Sequence, residues 1–280
     1  MPFRLVQSKQ NARLKELRRA LARPGPGALA GIEGPNLLAE ALRAGLRLAC
    51  VFAAEDAEKL VEDLHLPSET EVLLLPRTLL DAALTTESPQ PVAALVDPPQ
   101  WRWEQLLQNR ATAPLILVLA GLQDPGNLGT ILRSAEAFGA SGVCSLPGTV
   151  SAWNPNAVRA SAGSLFRIPL VAAGAEECFA RLRAGGVKMY ATVVETAEPE
   201  GLPDLTGPTA LIIGNEGSGL AEALAAQADA RVTIPCPGPV ESLNAAVAAS
   251  VLLYEASRQR AGAAGAPFLG HGGSGRGASQ

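Results

Sequence analysis

Three glycine-punctuated segments in the second half of the chain carry the polar residues best placed to handle a ligand. The first runs Asp124-Pro125-Gly126-Asn127-Leu128-Gly129-Thr130 and continues through Arg133. The second is Ile213-Gly214-Asn215-Glu216-Gly217-Ser218-Gly219, and the third joins Val232-Thr233-Ile234-Pro235 to Glu241-Ser242-Leu243-Asn244. Each couples a short apolar run to a polar turn and then to a helical pattern, which describes a site assembled from strand ends. Asn127, Arg133, Glu216, Ser242 and Asn244 are its candidate working residues. They can orient a hydroxyl, accept amide hydrogen bonds and clamp an anion. Only His65 and His271 occur in the chain, without a ligand partner at useful spacing, so the chemistry does without histidine as base or metal ligand.

Other glycine-rich readings fail on wording. Gly126-Asn127-Leu128-Gly129 lacks the third glycine of a dinucleotide fold, and no acidic residue caps the next strand. Glu216-Gly217-Ser218-Gly219 has glutamate where a nucleophile elbow requires glycine, and no P-loop is present. Cys50, Cys144, Cys178 and Cys236 are far apart and form no C-x-x-C pair, which argues against a zinc site and a disulfide framework. The expectation is four reduced thiols and no metal.

The elements that must position these residues follow from periodicity. A basic amphipathic helix is expected over 9–22, with Leu14, Leu17 and Leu21 on one face. Helices over 35–45, 55–64 and 77–83 alternate with strands over 46–53, 72–75 and 92–96, giving a small α/β unit over residues 1–97. Pro98-Pro99 and Trp101-Arg102-Trp103 mark a linker over 98–112. Over 113–260, six apolar strands (115–120, 142–146, 167–171, 187–192, 209–213 and 231–235) alternate with helices. That pattern predicts a mainly parallel sheet covered on both faces. From Ala261 to Gln280, Gly, Ala and Ser dominate, and a disordered tail is expected.

The formal net charge of −4 by itself argues against a nucleic-acid binder, but the distribution reverses that. Arg4, Lys9, Arg13, Lys15, Arg18, Arg19 and Arg23 precede every acidic residue except Glu16. One end of the chain is strongly basic. No apolar run approaches the ~18–20 residues of a membrane span, and Met1 to Gln10 lacks a signal-peptide core, so a cytoplasmic protein is expected.

In order and wording the three segments resemble the motifs of the SpoU (TrmH) family of RNA ribose 2′-O-methyltransferases, within the SPOUT class. The resemblance covers roughly residues 113–258. It implies a deep C-terminal trefoil knot, S-adenosylmethionine as cofactor, and a homodimer formed through the C-terminal domain. The last apolar helix, Ala245–Tyr254, rich in small residues, suits such packing. By matching positions, Gly214, Ile234 and Leu243 would contact the cofactor through their backbones, with Thr192 beside them, and Gly214 and Gly217 would let the chain pass close to adenosine. The resemblance makes Arg133 the activator of the 2′-hydroxyl; since a guanidinium holds its proton tightly, either a nearby positive sulfonium favours proton loss or Arg133 clamps a phosphate and orients the ribose. Glu216 would brace its loop; Ser242 and Asn244 would cap the last helix or orient the substrate.

The N-terminal portion resembles the ribosomal-protein-like substrate-binding domain of the same enzymes, through Ser8-Lys9, Asn11, Leu14-Lys15, Glu33-Gly34 and Leu37–Ala41. Lys9, Asn11, Lys15 and Arg18 are the candidate RNA contacts. The expected activity is methyl transfer to a ribose 2′-hydroxyl of structured RNA, with large-subunit rRNA expected rather than tRNA. Two other readings stand beside it: a non-catalytic RNA-binding or ribosome-assembly factor that kept the fold, and a tRNA 2′-O-methyltransferase.

Overall fold

A computed structural model describes residues 3–22, 27–107, 112–194, 202–240 and 242–263. The first unit contains β1 (Phe3–Leu5), α1 (Ala12–Ala22), β2 (Ala30–Glu33), α2 (Pro35–Arg43), β3 (Leu48–Ala54), α3 (Glu58–Asp63), β4 (Glu71–Leu75), α4 (Arg77–Asp81) and β5 (Val92–Val96). Its sheet has the order β1-β4-β3-β5-β2. The β1–β4 and β3–β4 pairs are parallel, whereas β5 runs antiparallel to β3 and β2. Two strands, β1 and β2, were absent from the periodicity. Each is short and lies at a sheet edge, and Gly31 interrupts what little alternation β2 has.

Residues 98–107 are more than a connector. They carry α5 (Trp103–Leu107), whose Trp103 and Leu106 are buried in the second unit's core. Trp103 Nε1 donates to Glu177 Oε1 at 3.2 Å, fixing the connector to its neighbour. Residues 108–111 of the expected linker lie outside the described residues.

The second unit holds β6 (Leu115–Leu119), α6 (Pro125–Ala137), β7 (Gly142–Ser145), α7 (Pro155–Ser161), β8 (Leu170–Ala172), α8 (Ala175–Ala184), β9 (Lys188–Thr192), β10 (Thr209–Ile213), α9 (Glu222–Ala225), β11 (Ala230–Val232) and α10 (Ala245–Ala263). All five strand pairings are parallel, in the order β11-β9-β10-β6-β7-β8. Leu115, Leu117 and Leu119 join one apolar cluster with α6, α7 and α10, and Ile116 and Val118 join the opposite one with α5 and α8. Both faces are dry, which is why β6 reads as an unbroken apolar run.

Some boundaries differ from expectation. α6 begins at Pro125, four residues earlier than its apolar period, because Asp124 caps it and proline suits a first helical position. β8 begins only at Leu170, after Pro169, three residues later than expected, and a 3₁₀ turn over Ser164–Phe166 precedes it. β11 stops at Val232, short of Pro235. Of the expected tail, residues 261–263 complete α10, and the remainder lies outside the described residues. No helix among the described residues is long and apolar enough to cross a membrane.

The strand order sets the site. From β6 the chain moves outward to β7 and β8; β10 pairs with β6 on its other side and leads away toward β9 and β11. A crevice forms at the carboxyl ends of two such neighbouring strands, where the connections leave in opposite directions. The first glycine-punctuated segment follows β6 and the second follows β10.

Candidate active site

The segment after β10 is a closed loop. Asn215 and Gly219 exchange backbone hydrogen bonds at 2.9 and 3.0 Å. Inside it, Asn215 Oδ1 accepts from the amides of Gly217 (2.8 Å) and Ser218 (3.1 Å), and Asn215 Nδ2 donates to Gly121 O (2.8 Å). The loop thereby holds its own shape and anchors to the segment after β6. A Cβ on Gly214 would lie 2.4 Å from the backbone of Gly219 and Leu220. Glycine is required there because the loop closes back on its own chain. Gly217 has no such contact: its Cβ would meet only Asn215 Oδ1 at 3.6 Å.

Glu216 projects from that loop onto the start of α6. Its Oε1 accepts from Asp124 N (3.2 Å) and Asn127 Nδ2 (3.0 Å), and its Oε2 from Gln123 N (3.2 Å). Partial burial pushes the carboxyl up, but the hydrogen bonds from Asn127 and from the amides of Glu216, Gln123 and Asp124 outweigh it. The net effect holds the carboxyl below the usual glutamate range. Asn244 completes the line: its Nδ2 donates to Asn127 Oδ1 at 3.0 Å. Its own Oδ1 caps α10 by accepting from Ala246 N (2.9 Å) and Val247 N (3.3 Å). Donors thus run in one direction, from the start of α10 through Asn244 and Asn127 to Glu216. Asn127 Nδ2 and Asn244 Nδ2 each use one N–H in this chain, and no acceptor among the described residues takes the second.

Two adjoining cavities flank the line. A polar one of about 540 Å³ is lined by Gln123, Asp124, Asn127, Glu216 and Asn244. A larger cleft of about 920 Å³ is lined by Thr192, Gly214, Ile234, Ser242 and Leu243, among others. Asn215, Glu216 and Gly217 border both. Thr192 Oγ1 is buried and has no hydrogen-bond partner among the described residues. A buried hydroxyl left without a partner is costly, and a ligand in the cleft would satisfy it.

Most of the sequence-derived residues therefore converge. The four cofactor candidates share one cleft, and Asn127, Glu216 and Asn244 form one bonded set. Ser242 is exposed at the cleft and does not cap α10; Asn244 does. Arg133 does not join them. It is exposed on α6 and lines neither cavity. At 100° per residue it stands roughly 120° around the helix from Asn127, so the reach expected from spacing alone is not realised within one chain. Among the RNA candidates, Lys9 and Lys15 are exposed, while Asn11 Oδ1 is engaged by Leu14 N (3.2 Å) at the start of α1. Arg18 is half-buried, and its Nε has no partner among the described residues. The sequence reading missed Asn215. An Asn followed by Glu-Gly-Ser-Gly was the available signal, since Asn side chains commonly close such turns.

A parallel α/β sheet with a cleft at its strand ends and a polar cavity beside it is the usual setting of a small-molecule or cofactor site. Comparison with known proteins is specific. The SpoU rRNA Methylase family model matches residues 114–254, and a model for RNA 2′-O ribose methyltransferase substrate binding matches residues 32–102. The chain belongs to the SpoU rRNA methylase family. It is 35% identical over 223 residues to the 23S rRNA guanosine 2′-O-methyltransferase RlmP of Bacillus subtilis, covering 80% of this chain and 86% of that one. The SpoU methyltransferase AviRb of Streptomyces viridochromogenes in complex with AdoMet superposes with a TM-score of 0.76 at 30% identity, covering 90% and 98% of the two chains. An AdoMet-bound rRNA methyltransferase from Sinorhizobium meliloti gives a TM-score of 0.76 at 28% identity, covering 91% and 98%.

Proposed function

We propose that this enzyme, an S-adenosylmethionine-dependent RNA ribose 2′-O-methyltransferase, acts on large-subunit rRNA in the cytoplasm as a homodimer. The observation that carries the reading is the adjacency of the two cavities across Glu216 and its loop. On this reading the cleft would hold the cofactor, and the polar cavity would offer hydrogen-bond donors to a ribose.

S-Adenosylmethionine supplies the methyl group and a positive charge; the protein must align a ribose oxygen with it and allow one proton to leave. The orphan hydroxyl of Thr192 and the backbones of Gly214, Ile234 and Leu243 would hold the cofactor. The spare N–H groups of Asn127 and Asn244 would orient the ribose. Glu216 is a brace rather than a base, because both its oxygens are occupied by amide donors. Ser242 lies at the cleft, beside where the reacting hydroxyl would sit.

Three further features support parts of the reading. Val247, Val251 and Tyr254 are exposed at helical spacing on α10. They offer an apolar stripe for a second copy, and Arg133 on the neighbouring α6 would then face the partner's site. Gln259 and Arg260, at the end of α10, bond Pro203 O, Leu205 N and O, Gly207 O and Pro114 O. That fastening suits the threaded, knotted chain the family resemblance implies. The exposed Lys9 and Lys15 offer phosphate contacts.

Methyl transfer from labelled cofactor to total RNA of cells lacking the gene tests this, with Asn127→Ala as control. Label in large-subunit rRNA at one alkali-resistant linkage, lost in the variant, is expected. Cofactor binding with no label in any RNA would favour the assembly-factor reading.

A further inference from the structure

The two units of the chain meet at a built joint. Arg167, just after the 3₁₀ turn, places its guanidinium between two carboxylates from different units. Its Nε and Nη2 donate to Glu136 on α6 at 2.5 and 3.0 Å, and its Nη1 donates to Glu40 on α2 at 2.6 Å. A planar fork that satisfies one carboxylate twice leaves a third donor in a fixed direction, and Lys could not reproduce this. Beside it, Gly163 has φ +90°, and a Cβ there would lie 2.6 Å from Glu40 Cβ and 2.7 Å from Cγ. The backbone of the second unit thus touches the stem of the same glutamate. Apolar packing continues across the joint, with Ile32 and Leu38 in one cluster with Val158, Leu165 and Phe166.

Both ends of this joint matter. Glu136 lies one turn beyond Arg133 on the helix that carries Asn127. Glu40 lies on the helix that follows β2, and β2 packs against α1, the helix bearing Lys15 and Arg18. We infer that Arg167 is a positioning residue that fixes the distance between the RNA-anchoring surface and the methyl-transfer cavity, so that the N-terminal unit measures out where on the RNA the methyl group lands. This rests on the proposed RNA reading. It assigns to Arg167, Glu40 and Gly163 a role in choosing the nucleotide, apart from the chemistry.

The full-length protein tests it through Arg167→Met, Glu40→Gln and Gly163→Ala, with Arg231→Met as a control that breaks only a pair with Glu222 inside the second unit. Melting temperature and cofactor affinity are measured first. RNA kinetics, mapping of the methylated position and energy transfer between one dye on each unit follow. The expected result for Arg167→Met and Gly163→Ala is a KM for RNA raised about ten-fold with kcat within about two-fold. Label should spread to extra nucleotides and inter-dye distances should broaden, while cofactor affinity holds. Unchanged KM and unchanged distances would overturn the inference, and so would a fall in kcat at constant KM. If the wild-type protein methylated no RNA, the proposed function would fail, yet the dye distances would still decide whether Arg167 fixes the two units.

Discussion

Asn127 Nδ2 donates to Glu216 Oε1 at 3.0 Å across 89 residues of sequence. The bond ties the helix after β6 to the loop after β10, and Asn244 holds the other end of the same amide. Because Glu216 also takes two backbone amides, it serves as a hub with only acceptor capacity.

Glu216→Gln tests that hub. The substitution preserves shape but turns one oxygen into a donor facing the Gln123 amide. Losing a charge-assisted bond and opposing two donors costs about 1–2 kcal/mol at this exposed position, a drop of about ten-fold in kcat/KM. A variant with wild-type kinetics would show that the brace is idle.

The acid limb of the rate profile follows from the same bonds. Glu216 is held below the usual carboxylate range in the folded protein. A depressed group stabilises the fold above its unfolded pKa, and that contribution is lost as pH falls through the lowered folded value. Activity should therefore persist through the ordinary glutamate range and fail only below it, read as kcat/KM against pH in the wild type and Glu216→Gln.

Thr192→Val separates ligand binding from fold. The unbound protein loses a buried hydroxyl that has no partner among the described residues, so its melting temperature should stay the same or rise. Cofactor affinity should drop about five- to ten-fold, the worth of one hydrogen bond. Calorimetry showing unchanged affinity would remove Thr192 from the cofactor site.

Gly214→Ala should behave oppositely. A methyl group there would meet Gly219 and Leu220 backbone at 2.4 Å, so the loop has to open. Thermal stability should fall by about 1–3 kcal/mol and cofactor binding should weaken with it. A fully stable, fully binding variant would contradict the geometry.

Arg133 gives a test of assembly. Alone it lines neither cavity. If a partner's Arg133 completes each site, mixing inactive Arg133→Ala with inactive Asn127→Ala should regenerate activity. Random pairing yields about half mixed dimers, each with one intact site, hence about a quarter of wild-type activity. Mixtures that stay inactive would place Arg133 within its own chain's chemistry.

The readable parts of this molecule were local. Asp124-Pro125 and Asn154-Pro155 are local helix-start signals, and the Asp124 and Asn154 side chains do cap α6 and α7, although the apolar period alone put the start of α6 too late. Leu115–Leu119 declares a strand buried on both faces. β1 and β2 escaped because strands of three or four residues at sheet edges carry too little alternation to register.

The sequence alone therefore determined most of the alternating elements of both units, the three polar turns and the basic first helix, since turns and apolar periods depend on neighbours a few residues apart. The tertiary structure decided the rest. It made Glu216 a brace for Asn127, explained Gly214 by the loop closing back on its own chain, turned Arg133 away from its cluster, and placed Arg167 between two units. Each of these depends on which distant surfaces pack together, and packing is a property of the whole chain's shape that no local run of residues encodes.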